Sequence, residues 1–202
     1  MRNIPGGLVA TLVIVRLKMR YLLRFAAIGP FVLLSVLAFQ AVAEPSAEIE
    51  RLIDTFEGRW SVRETHEASE WSPRGATGVG TAEFIRGPGS MSLLQTYRSS
   101  VGEFAFEGYS VTWWNSKAQH YEGIWCENTA PDGCDHSGAA LWKDNRLIAE
   151  YEDDMDGKPT KERRTISKIT PNSFTVVIEM AIGDAPLKRA ITVDYERERS
   201  GD

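Results

Sequence analysis

The sequence predicts an all-β fold: an antiparallel up-and-down meander of about ten strands, closed into a barrel and preceded by one short helix. Three observations predict it. From Gly58 onward apolar and polar residues alternate with period two. Turn-forming residues recur at short, regular intervals and leave no room for crossover helices. A helical stripe occurs once, ahead of the first alternating run.

The chain opens with a basic segment that turns apolar. Residues 1–43 contain Arg2, Arg16, Lys18, Arg20 and Arg24 but no acid, an apolar run spans Phe25 to Phe39, and Ala41-Val42-Ala43 follows. That order is the order of a secretory signal, and Ala41 and Ala43 suit the small pockets of the peptidase. Cleavage is expected before Glu44, with the start at Met19, where a segment of ordinary signal length begins. An uncleaved anchor, the alternative, needs about 20 apolar residues. Phe25–Phe39 has 15, and Gly29-Pro30 interrupts them. One domain is therefore expected over 44–202, periplasmic or secreted, with no membrane contact after cleavage. Its oligomeric state is open.

The signal removes five of the 23 basic residues, leaving 18 against 28 Asp and Glu, a net charge of about −10. Such a surface repels phosphate backbones, which argues against nucleic acid as a partner. Cys126 and Cys134 are the only cysteines, and both fall in the exported part. An even count in an oxidising compartment, across a loop holding Pro131 and Gly133, predicts a disulfide.

The helix is expected over 46–57. Ile49, Leu52, Ile53 and Phe56 make one apolar stripe, Ser46 suits the N-cap, Glu48 and Glu50 face the positive end of the dipole, and Gly58 closes the C-terminus. Alternating runs then cover roughly 59–67, 78–86, 91–98, 104–114, 118–126, 138–143, 146–153, 161–169, 174–182 and 187–196. The clearest places Leu187, Arg189, Ile191, Val193 and Tyr195 on one face. Turns at Gly87-Pro88-Gly89, Asn115-Ser116, Asp144-Asn145, Pro171-Asn172 and Gly183-Asp184 separate the runs. A meander this long must close or stack, because open edges invite aggregation.

A short helix leading into Phe56-Glu57-Gly58-Arg59-Trp60 resembles the Gly-x-Trp start of the lipocalin-like, or calycin, barrels. In those barrels the Trp packs across the floor. The stretch from Gly108-Tyr109 to Trp125, with Trp113-Trp114-Asn115 before a turn and Tyr121-x-x-x-Trp125 after it, is similar to a bacterial family of exported lipocalin-like domains of unknown function. The resemblance covers about 50–198 and implies a fold able to enclose a small ligand. It implies no catalytic residues.

Several motifs compete with plainer readings. Glu152 to Gly157 resembles the start of a calcium loop, but Arg163 stands where a bidentate Glu is required, so an acidic hairpin turn is expected. Asp132 to His136 gathers possible ligands that turn chemistry explains equally well, and no metal or cofactor is expected. Gly75 to Gly80 precedes a strand rather than a helix and reads as a loop without a phosphate cradle. His66 with Glu64, and His120 with Glu122, each set an imidazole and a carboxylate on one strand face. Outward-facing polar pairs are the expectation for both, with a general-base or metal-ligand role as the alternative. Of Arg163 and Arg164 one should point inward, to a ligand carboxylate or an interior Glu.

The leading expectation is a barrel that binds a small, mostly apolar molecule, since ten strands enclose a cavity. Trp60, Phe106, Tyr109, Trp114, Trp125 and Arg164 are the expected lining. Two other functions stay open: an isomerase, cyclase or hydrolase built on an interior His and Glu, and a structural or interaction domain with a filled core.

Overall fold

A Ser46 cap starts the helix. Its Oγ accepts the Ile49 amide at 3.3 Å, and α1 (Ala47–Phe56) buries Ile49, Leu52, Ile53 and Phe56 along one face. The chain then turns sharply into the barrel at Gly58, whose φ of +128° favours glycine. A Cβ at Gly58 would also collide with the Arg197 guanidinium. The computed structural model describes residues 44–69, 73–129, 133–155 and 157–199. Residues 1–43, expected from the sequence to be a signal, and Trp71, Pro131 and Asp132 lie outside the described residues.

Among the described residues eleven strand segments follow: β1 (Gly58–His66), β2 (Ala76–Arg86), β3 (Ser92–Val101), β4 (Phe104–Asn115), β5 (His120–Glu127), β6 (Cys134–His136), β7 (Ala139–Lys143), β8 (Arg146–Met155), β9 (Lys158–Ser167), β10 (Ser173–Ile182) and β11 (Lys188–Arg197). Every pairing is antiparallel. Neighbours in sequence pair from β1 to β5 and from β7 to β11, and β11 returns to β1. Segments β6 and β7 share β5 as neighbour, and their registers on it differ by one residue across Ser137-Gly138. They are one strand interrupted by a bulge, with Gly138 at φ +74°. The barrel therefore has ten staves, as the alternating runs predict.

Cys126 and Cys134 stand directly opposite each other on β5 and β6, 3.9 Å apart at Cα, and are joined in a disulfide. The helix closes one end of the barrel. Trp60 at that end is 0% exposed, donates its indole N–H to the Phe56 carbonyl at 2.8 Å, and meets Phe174 edge-on at 4.7 Å. Arg197 lies over the Trp60 ring at 4.1 Å and donates to the Glu57 carbonyl at 2.5 Å and the Pro171 carbonyl at 2.7 Å. The guanidinium thus satisfies helix-end and loop carbonyls that would otherwise lack partners. Among the described residues no helix is long and apolar enough to cross a membrane.

Two expectations need correcting. The segment Gly75 to Gly80 is not a loop: β2 begins at Ala76, and Gly78 and Gly80 lie in the ladder where β3 and the Glu64 carboxylate come too close for a Cβ. Arg189 does not share the Ile191 face. A bulge at Ala190 shifts the register, so Arg189 pairs with Glu179 on the outer face while Ile191 pairs with Ile178.

Candidate ligand cavity

Inside the barrel is a cavity of about 1010 Å³. Its floor is Leu52 and Phe56 from the helix, and its walls are mostly apolar, with Phe84, Leu93, Ile166 and Val193 among them. Phe104 marks the mouth, since it lines the cavity yet is 53% exposed. The opening survives because several inward positions are small: Ala76, Ser110, Thr112, Ala140 and Ala149 fill less space than Leu or Phe. Gly108 supplies a further recess. The Trp125 indole lies against its backbone where any Cβ would intrude, and the ring stacks on Phe106 at 6.3 Å.

Besides the Ser110 hydroxyl, which donates to Gln95 at 3.2 Å, and Glu122, the wall carries three polar groupings. The first is centred on Glu64, which is 5% exposed. Its Oε1 accepts the Tyr97 hydroxyl at 2.5 Å, and its Oε2 lies 2.6 Å from His66 Nε2. Burial works to raise this carboxyl, but the Ser99, Tyr97 and His66 groups around it outweigh burial and hold it below its usual range. Burial, with the neighbouring Tyr195 and Glu64, drives the Tyr97 hydroxyl the other way, so the proton between them stays on Tyr97. An ionised carboxylate only accepts, so the His66 ring proton facing it sits on Nε2. That leaves Nδ1 as the ring nitrogen available for other chemistry.

The second grouping is on β8 and β9. Arg164 donates through Nε to Glu162 and through Nη2 to the Tyr151 hydroxyl, each at 2.5 Å. Burial raises the Tyr151 hydroxyl against the lowering effect of Arg164. Arg163 points outward to Glu150 at 2.6 Å. In the third, Glu127 accepts the Trp125 indole N–H at 2.6 Å and the Thr129 hydroxyl. Ladder register puts Ala149, Arg164, Ile178, Ile191 and His66 in one lateral row, so Arg164 and His66 share a level.

Phe106, Trp125 and Arg164 therefore line the cavity. Trp60 does not; it is walled off in the floor beneath Phe174 and Arg197. Trp114 also packs at the floor, edge-on to Tyr121 at 5.0 Å. Tyr109 is 38% exposed on the outside, because the pleat that turns Gly108 and Ser110 inward turns Tyr109 away. The expectation that Glu64 and His66 face outward is overturned: β1 turns Trp60, Val62, Glu64 and His66 to one side, and Trp60 fixes that side as the interior. His120 and Glu122 form a looser pair at 3.3 Å, half-buried, with Asn115 also donating to Glu122 at 2.7 Å. Tyr97, Ser99, Tyr151 and Glu162 were missed. The Tyr97 signal is visible in β3, where Leu93, Gln95, Tyr97 and Ser99 share a face.

The closed meander, the helix across one end and the interior space define a calycin-like barrel. Solved structures agree on the fold. The chain is similar to Rv2717c from M. tuberculosis at 13% identity, covering 77% of this chain and 100% of that one, with a TM-score of 0.50. It is similar to the S-type phycobiliprotein lyase CPES from Guillardia theta at 11% identity, covering 76% and 94%, with a TM-score of 0.51. No protein-family model and no curated relative matches the sequence.

Proposed function

We propose that this protein is an exported barrel that holds a small, mostly apolar molecule in its interior. The observation that carries the reading is the cavity of about 1010 Å³, walled by apolar side chains with a few fixed polar groups. Small-molecule sites commonly measure about 300–1,000 Å³ and have this composition. The disulfide and the basic-then-apolar leader support export to an oxidising compartment. Titration with the neutral dye Nile red tests the reading. Saturable uptake at one dye per chain is expected, and no saturable uptake of Nile red or of other apolar probes overturns it.

A second reading has one observation in its favour. His66 meets a buried, ionised Glu64 at 2.6 Å, an arrangement that orients an imidazole as a general base. Under it, His66→Ala abolishes turnover of a cavity-bound substrate while Nile red uptake persists. His120 and Glu122 support it less, because their pair is looser and His120 does not line the cavity.

A further inference from the structure

The cavity wall carries more negative than positive charge. Glu64, Glu122, Glu127 and Glu162 border it, against the guanidinium of Arg164 and the imidazole of His66. Three of these carboxylates have partners that account for them. Glu162 pairs with Arg164, Glu127 accepts from Trp125 and Thr129, and Glu122 faces Asn115 and His120.

Glu64 differs from them. It is the most deeply buried of the four, with a hydroxyl and an imidazole as partners; Glu122 and Glu127 likewise have no Lys or Arg partner among the described residues, but both are more open to solvent. A buried carboxylate without a cation carries a large desolvation cost. Beside it, on the inward face of β3, is Ser99 Oγ, a buried oxygen that makes no well-directed hydrogen bond among the described residues. The carboxylate keeps lone pairs that Tyr97 and His66 do not use, and the Ser99 hydroxyl beside it, which helps hold that carboxyl low, has acceptor lone pairs of its own, so the two together can take an N–H donor.

We propose that the molecule held in the cavity carries a cationic group, an amine or amidine on an apolar body, with Glu64 as its counter-charge. The inference rests on the ligand-binding reading and narrows it. The apolar body lies against Leu93, Phe174 and Val193, and the charged end reaches the level of Glu64. An anionic head of the same size fares worse there. It meets Glu64, and the Arg164 that shares the His66 row is already neutralised by Glu162. Protonation of His66 does not reverse the sign, since Glu64, Glu127 and Glu162 still outnumber Arg164 and His66.

Displacement of Nile red by dodecylamine, dodecanol and dodecanoate at neutral pH, each below its micelle concentration, compares three head groups on one tail. Amine should bind more tightly than alcohol and alcohol more tightly than acid. The amine should exceed the acid by at least about tenfold, the scale of one hydrogen bond to a buried charge. Glu64→Gln should erase the preference of amine over alcohol and leave dodecanol binding in place. An acid as tight as the amine on the wild-type protein overturns the proposal, whether or not the variant folds. An amine preference that survives Glu64→Gln also overturns it. Failure of Nile red and dodecanol to bind removes the ligand-binding reading and this inference together. Dodecanol bound with no preference for amine removes the inference alone.

Discussion

The Tyr97 hydroxyl donates to Glu64 Oε1 at 2.5 Å inside the barrel, tying β3 to β1 across the intervening β2. Gly78 and Gly80 make this link possible, because β2 has no side chain at either inward position to stand between the two. The hydroxyl keeps its proton and the carboxyl loses its own, so a neutral donor meets a charged acceptor, the stronger kind of hydrogen bond.

Tyr97→Phe should therefore leave Oε1 without its donor in a buried place. The expected loss is about 1–3 kcal/mol, read as a lower denaturant midpoint with an unchanged slope. A midpoint equal to the wild type would mean the bond contributes nothing to stability.

Acid should weaken the same grouping. The Glu64 carboxyl lies lower in the folded protein than its ordinary value of about 4.3, so the unfolded chain binds its proton more readily. The stabilisation is complete above the unfolded value and disappears as pH falls through the folded one. Below about pH 4 the wild type should lose Tm relative to Glu64→Gln. A relative gain on acidification would contradict the sign.

Gly108→Ala should disturb the cavity wall without touching the floor. The new methyl enters the space of the Trp125 indole, which must leave its stack on Phe106. Overpacking of this kind costs about 1–3 kcal/mol. Near-ultraviolet circular dichroism should change, and the affinity for Nile red should fall.

Trp125 and Trp60 should respond differently to a bound dye. Trp125→Phe is expected to remove most of the change in tryptophan emission on dye uptake, because this indole lines the cavity. Trp60→Phe should lower Tm and leave the emission change largely intact, since that ring is sealed in the floor. Equal effects on the emission change would mean that the dye sits elsewhere.

Export and oxidation can be read together by mass. Protein recovered from the native cell envelope should begin at Glu44 and resist alkylation until reduced under denaturing conditions. Loss of the Cys126–Cys134 bond, for instance by Cys126→Ser with Cys134→Ser, should cost roughly 2–3 kcal/mol by the loop-entropy argument. A chain that retains residues 19–43 would instead support a membrane anchor.

The helix, the number of staves and the cysteine pairing were all legible in the sequence. Each depends on local periodicity or turn chemistry: the Ile49, Leu52, Ile53, Phe56 stripe, the regular alternation after Gly58, and two cysteines across one hairpin loop. Period two says which residues share a face but not which face is inside. That choice was decided by tertiary structure. Helix α1 caps one end, Trp60 seats on the Phe56 carbonyl, and every second residue of β1, including Glu64 and His66, is then carried inward. The same parity turned Tyr109 out, and the bulge at Ala190 reversed it for Arg189. Partners such as Tyr97 with Glu64, or Arg164 with Tyr151, are 33 and 13 residues apart in the chain. They meet because antiparallel pairing of β8 with β9, and of β1, β2 and β3 in turn, sets the register that brings them to one face, and closure of the sheet makes that face the interior.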